Sequence, residues 1–326
     1  MSYSFHLTDF DSSESDWEYI LTDSAINSVF ITPHWQKTWW EGMGSDETDL
    51  RLIKVICDDK TIGIAPLIKN NQVISFLGST DLCDLHDFVM LRGYESQFFE
   101  ALQDYMSEEK WEHIILESVQ DGSPTLEYME HLAKTNGYKF QKVAEDKLVG
   151  VSLPDSWDVY LSSLRKKDRH ELRRKLRRLE AEPNFFIERF SETDDVLGAM
   201  DDFLSLMAES RGEKAEFLDD SKQDFFRYMA GRMSEYGYIN LFFLNVDGNR
   251  AAATMCFDYN NERSLYNSGY SMGYSSLGTG FLLKAICLQL AIDEGKVYYD
   301  LLRGTEPYKY HLGAEDRDIF RITISR

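Results

Sequence analysis

One order of elements occurs twice in this 326-residue chain, and that repetition constrains the fold more than any single motif. In the first half, strand-like runs at 50–57 and 61–69 flank the polar turn Asp58-Asp59-Lys60, and a third follows at 73–77. A strand at 86–91, a helical pattern at 97–107, an apolar β-rich run at 113–119 and a helix at 124–136 come next. Strands at 138–143 and 148–153 close the region. The second half runs through the same order. Strands at 239–246 and 250–259 flank Asp247-Gly248-Asn249, a hairpin turn triplet, and a third covers 264–270. A helix at 280–294 stops at Gly295, and a strand at 297–302, a short helix at 307–312 and a strand at 320–325 complete it. Thr61 and Arg250 start equivalent strands 189 residues apart, and His113 and Val297 do so 184 apart. The residues themselves barely repeat, so the duplication lives at the level of pattern.

Helices near 17–29 and 34–43 precede the first run, the latter opened by Pro33. A long helix at 157–181, a strand at 185–190 and helices at 194–211 and 219–236 precede the second. The expected class is α/β (α+β): two tandem domains, 1–153 and 154–326, each a mixed, mostly antiparallel sheet flanked by helices.

The hydrophobic fraction of 43% and aromatic fraction of 13% suit packed cores rather than disorder. The N-terminus has no basic stretch leading into an apolar run, and the longest apolar stretches are short or interrupted by Lys284 and Gln289. A soluble cytoplasmic protein without membrane insertion is the expectation. Cys57, Cys83, Cys256 and Cys287 lack metal-ligand spacing, so neither a metal nor a disulfide framework is expected. The net charge of -21 disfavours general attraction to nucleic acid or anionic lipid. Against that background, residues 165–178 (RKKDRHELRRKLRR) concentrate nine of the 35 Lys and Arg beside two acids. Leu161, Leu164, Leu172, Leu176 and Leu179 give this helix one apolar stripe. The rest is a solvated face or a clamp for phosphates, with Arg169 and Arg173 as substrate-binding candidates.

Three further segments can carry chemistry. Gly273-Tyr274-Ser275-Ser276-Leu277-Gly278-Thr279-Gly280 joins a strand to a helix. Its glycines allow positive φ and close approach, and the helix start attracts phosphate. Ser275, Ser276, Gly278, Thr279 and Gly280 are therefore donor-binding candidates, suited to the pyrophosphate of coenzyme A. The first half has only Arg92-Gly93-Tyr94-Glu95 at that joint, which assigns the donor to the second half. Residues 299–310 (YDLLRGTEPYKY) crowd ionisable groups at the end of a buried strand, where α/β sites lie. Asp81, Asp84, His86 and Asp87 form a third group, in which alternation puts Asp84 and His86 on one side. Trp35, Trp39 and Trp40, at helical spacing, read as core.

The run YYDLLRGTEPYKYHLGA resembles the C-terminal signature of GNAT-superfamily proteins, close to the CelD-like and FemAB-like group. The basic helix LSSLRKKDRHELRRKLRRLEAE, the block TPHWQKTWWEGMG and the later FLGSTDLCDLHDFVM are similar to other marks of that group, in the expected order. Residues 275–280 depart from it, lacking the full glycine- and arginine-rich cradle. The resemblance implies tandem GNAT-like domains, the first degenerate, with a cleft between them. The implied activity is acyl transfer from acetyl-CoA or another acyl-CoA to an amine, on a small molecule, an amino sugar or a cell-envelope precursor. Two alternatives stand beside it: aminoacyl transfer from charged tRNA, as in the FemAB enzymes, and a degenerate binding module. In the acyltransferase reading, Asp300 or Glu306 deprotonates the acceptor, with Asp84 and His86 contributing from the first half. Tyr308 protonates the departing thiolate, Lys309 neutralises developing charge, and Arg303 orients Asp300. A backbone N–H on the strand before Gly273 polarises the thioester.

Overall fold

The structure is a computed structural model that describes residues 2–210 and 212–326. Two compact units divide the chain: Met1–Lys147 with Arg317–Arg326, and Leu148–Asp316.

The first unit opens with β1 (Tyr3–Thr8) and α1 (Phe10–Leu21). Asp9 caps α1 by accepting from Ser12 N at 2.7 Å. The helix therefore starts seven residues before the expected position and ends earlier. In α2 (Pro33–Met43), Thr32 accepts from Trp35 N at 3.1 Å and Pro33 opens the first turn. Its indoles split by face: Trp35 and Trp39 are buried, while Trp40 is half-buried. Next come β2 (Asp49–Cys57), β3 (Lys60–Asn70), β4 (Val73–Phe76), the two-residue β5 (Val89–Met90), α3 (Glu95–Glu108), β6 (His113–Gln120), α4 (Pro124–Thr135) and β7 (Lys139–Ser152). β1, β2, β3 and β4 pair antiparallel, and β4 then pairs parallel with β6 at Val73–Ser75 only. The 14 residues of β7 join what the sequence suggests as two strands.

The second unit contains α5 (Trp157–Ser163), α6 (Lys166–Glu180), β8 (Phe185–Phe190), α7 (Thr193–Ser210), α8 (Gly212–Phe217) and α9 (Asp220–Glu235). The helix expected at 194–211 ends at Ser210, and Arg211 lies outside the described residues. The single helix expected at 157–181 is two. Leu164 adopts ψ 148° and Arg165 ψ 140°, which breaks the turn, and buried Leu164 packs at Gly313. No glycine or proline marks the break. β9 (Ile239–Val246), β10 (Asn249–Tyr259) and β11 (Glu262–Tyr270) form the antiparallel meander. A 3-10 turn over Met272–Leu277 leads into α10 (Thr279–Asp293), followed by β12 (Tyr298–Arg303) and α11 (Pro307–His311). β11 pairs parallel with β12, and β12 pairs antiparallel with the end of β7.

The final strand β13 (Glu315–Ser325) pairs antiparallel with β6. Order along the chain puts residues 317–326 in the second half, whereas Arg317–Arg326 pack with the first unit. Sequence order alone cannot tell which sheet a terminal strand completes. Each unit buries an apolar cluster: Ile53, Phe88, Phe98 and Ile322 belong to that of the first, and Phe242, Cys256, Leu283 and Tyr299 to that of the second.

Candidate functional site

In the second unit, β11 and β12 stay paired for three positions, from Glu262 opposite Tyr298 to Ser264 opposite Asp300. β11 runs on to Tyr270 and β12 to Arg303, so the two strands part beyond that point. Two irregularities flank the opening. On β11, Leu265 and Asn267 oppose Cys256 and Met255, which leaves Tyr266 as the unopposed residue of a β-bulge. On β12 the ladder to β7 shifts between Asp300 and Arg303, and Leu302 sits at φ 60°. Asp300 Oδ1 holds that unusual conformation by accepting from Leu302 N at 2.7 Å.

The loop from β11 to α10 lies at the same end. Glu209 accepts from Ser271 Oγ at 2.9 Å and from Met272 N at 2.7 Å. Gly278 is left-handed at φ 73° and precedes α10 without a side-chain cap. The first intrahelical bond runs from Phe281 N to Gly278 O, so the N–H groups of Thr279 and Gly280 stand before it. Two cations of α6 meet this loop. Lys175 Nζ lies 3.2 Å from where a Cβ on Gly278 would be, and Arg178 Nη1 donates to Ser276 O at 3.1 Å. Neither was singled out from sequence, because only their charge, and not their facing, is legible there.

The loop candidates divide by role. Ser275 and Ser276 are exposed. Gly278 uses its positive φ as expected. Thr279 is buried, and its hydroxyl donates to Ala251 O at 3.3 Å, so it ties the loop to β10 instead of facing a ligand. Gly280 is buried too: a Cβ there would stand 2.8 Å from the Tyr270 ring, so this glycine serves packing.

Lys309 also departs from its expected role. Its side chain is 2% exposed, and Nζ donates to Leu302 O at 3.1 Å, Arg303 O at 2.6 Å and Gly304 O at 3.0 Å. Glu306 adds a carboxylate at 3.1 Å. An ammonium has three protons, and all three are committed to folding the turn after β12. Arg303 is half-buried at the strand end and offers its carbonyl to Lys309. Tyr308, half-buried on α11, faces a group that sequence reasoning passed over. Lys284 Nζ lies 5.0 Å over its ring and donates to Gly280 O at 3.2 Å. Lys284 is 7% exposed, a buried charge on a largely apolar helix. That charge was the available signal.

On α6, Arg169 Nη1 donates to Ser162 O at 3.2 Å, and Arg173 is exposed. Asp84 and His86 belong to the first unit. His86 is 3% exposed, its ring stacked on Phe76 at 5.9 Å and packed under Gly78, and its backbone N–H donates to Ser118 O at 3.2 Å. Its ring therefore serves the packing of that unit; Asp84 beside it is half-buried. Neighbouring Asp87 is fully buried, and burial pushes its carboxyl up to about 6 although it accepts from Thr125 Oγ1 and Phe88 N. Among the described residues, no group of three or more His, Cys, Asp and Glu side chains is placed to hold a metal ion. All four cysteines are buried and unpaired as disulfides.

Residues 166–310 match the acetyltransferase (GNAT) domain family. This segment is similar to GNAT domains. It contains the parted strands, the 271–280 loop and α11. FemX has the same overall fold, with a TM-score of 0.69 at 13% identity over 98% of this chain and 97% of that one. So has L-PGS from Bacillus licheniformis, at 0.56 and 14% over 94% and 90%. A tandem GNAT protein from the clavulanic acid biosynthesis pathway gives 0.55 and 11% over 98% of both chains. The chain thus has the tandem GNAT-like fold. No curated protein matches it.

Proposed function

We propose that the second unit is an acyltransferase that moves an acyl group from an acyl-CoA to an amine. One observation carries this reading: β11 and β12 part beside an uncapped helix start that two cations of α6 flank. Phosphates suit that end, where the N–H groups of Thr279 and Gly280 are available beside Gly278 and near the charges of Lys175 and Arg178. Ser275 and Ser276 add exposed hydroxyls. The loop lacks an arginine of its own, and α6 supplies the charge from outside it. When bound, the thioester supplies an activated acyl carbon.

The chain's own groups do the rest. A backbone N–H at the Tyr266 bulge polarises the carbonyl. Asp300 takes the proton of the attacking amine. It is better suited than Glu306, whose carboxylate is engaged by Lys309. As nitrogen bonds to the acyl carbon and the carbon–sulfur bond breaks, Tyr308 gives its proton to the thiolate. Lys284, whose Nζ lies 5.0 Å over the Tyr308 ring, is the group set beside it. The acceptor class is an amine on a small molecule, an amino sugar or a cell-envelope precursor, with Arg303, Arg169 and Arg173 as the groups nearest to that task by chemistry.

Thermal unfolding with and without CoA and acetyl-CoA tests the donor. The expected result is a saturable rise in midpoint that Gly278→Ala and the pair Lys175→Ala with Arg178→Ala each abolish. No shift at millimolar CoA would sink the proposal. A shift with a non-hydrolysable aminoacyl-tRNA mimic in its place would move the donor to tRNA.

A further inference from the structure

The α6 cations are unusual for a chain with 56 acids. Arg165 pairs with Asp168, and Arg174 and Lys175 pair with Glu171. Lys166, Lys167, Arg169, Arg173, Arg177 and Arg178 form no ion pair among the described residues. Their arrangement follows the helix. Lys166, His170, Arg173 and Arg177 stand at i, i+4, i+7 and i+11 and are all exposed, on the side opposite buried Asp168, Leu172 and Leu179. Lys167, Arg174 and Arg178 form a second exposed stripe beside the first.

A groove of about 390 Å³ lies against the first stripe, between α5 and α6. Trp157, Leu161 and Leu176 form its apolar lining, Arg173 and Arg177 its cationic side with His170 between them, and Glu180 is its one acid. Cations in two parallel stripes beside a partly exposed indole are the parts of a helix that lies on a charged interface.

We propose that the α5–α6 face docks on an anionic lipid bilayer. The cations meet the lipid phosphates, while Trp157 and the rest of the groove lining take the headgroup–acyl boundary. Two features favour a bilayer over a nucleic acid. The groove lining is aliphatic apart from one indole, which offers no series of stacking platforms for bases. The remaining surface is strongly acidic, so attraction is confined to one face and fixes an orientation. The net charge of -21 averages over the whole surface and hides this segregation. Docking here would set the donor loop, which Arg178 touches, close to the membrane plane.

Co-sedimentation with phosphatidylcholine vesicles, with and without phosphatidylglycerol, tests this on the full chain. The expected result is binding to the anionic vesicles alone, lost at high salt. Each Lys or Arg near such a surface contributes roughly a fivefold gain in partitioning. The triple variant Lys166→Glu, Arg173→Glu, Arg177→Glu should therefore lose more than about a hundredfold, with an unchanged melting profile. Trp157→Gln should weaken binding without changing its salt dependence. The control pair Lys110→Glu, Lys139→Glu, exposed in the first unit, should bind as the parent does. Absence of binding at low salt, equal binding by the triple variant, or saturable binding of RNA without binding of vesicles would each overturn the proposal.

Discussion

Lys309→Met separates a structural lysine from a catalytic one. In the folded chain its three protons rest on the carbonyls of Leu302, Arg303 and Gly304. Methionine fills most of the volume but donates nothing. A buried acceptor left without its donor costs about 1–3 kcal/mol. Leu302 is buried and bears that cost in full, while Arg303 and Gly304 are half-buried and recover part of it from water. Glu306 also loses its cation, a half-exposed pair that contributes little. The sum is about 3 kcal/mol, a large share of the roughly 5–15 kcal/mol that holds a domain folded. Urea unfolding followed by fluorescence should show the midpoint falling, and hydrogen exchange should accelerate across residues 298–312 before other regions change. Lys309→Arg should fare nearly as badly, because a planar fork cannot reach three carbonyls set around a point. If Lys309→Met kept the parent's stability within about 0.5 kcal/mol and the exchange of the turn, yet lost acyl transfer, the structural assignment would be refuted.

Asp87 gives a pH prediction. Its folded value of about 6 lies above the ordinary value near 4, so ionising it opposes folding. Stability should therefore fall as pH rises from about 4 to 6 and stay level above that. Asp87→Asn should remove that fall, gaining about 1–3 kcal/mol at pH 7.5 and little at pH 4, by paired urea titrations. Gly269→Ala should destabilise the second unit severely, because its Cβ would stand 2.2 Å from Met207 N and 2.3 Å from Leu206 C, backbone atoms that cannot step aside. Loss of soluble protein or a collapse in Tm is expected, and a parent-like Tm would contradict the packing of β11 on α7. Arg263→Met should cost roughly 2–4 kcal/mol in the same assay. It leaves Asp258 and Glu294 without the buried guanidinium both now bind, with Lys296 as partial compensation.

The fold was more legible than the site. Periodicity and turn chemistry locate the two meanders because hairpin strands are set by neighbours in sequence, such as Asp247-Gly248-Asn249. The break at Leu164-Arg165 carries no local signal, since burial of Leu164 at Gly313 imposes it from 149 residues away. The return of β13 to β6 is likewise long-range. At the site, sequence offered positive φ to the glycines at 273, 278 and 280, of which Gly278 alone adopts it, and marked the turn after β12 as crowded with charge. It could not tell that Lys309 turns inward while Lys175 and Arg178 turn toward the loop. A side chain's direction depends on which face of its helix is covered, and charge alone does not encode that.

The two units show how one order of elements yields different capacities. In each, the third strand of the meander runs parallel to the strand after the helix for three positions only. In each, a left-handed residue follows on the latter strand: Ser118 at φ 59° in the first and Leu302 at φ 60° in the second. What differs is the connection after the meander. In the first unit it carries Leu82, Leu85 and Phe88, all buried, and His86 bridges Phe76 at the end of β4 to Ser118 O on β6. The chain itself thus occupies the place where β4 has left β6. In the second unit the connection is Met272–Leu277, which contains no buried residue and stays outside the sheet. Three apolar side chains at intervals of three residues turn one copy inward, and serines at 275 and 276 leave the other at the surface. That difference in hydrophobic pattern, more than any difference in the strands, is why the proposed donor site lies in the second unit.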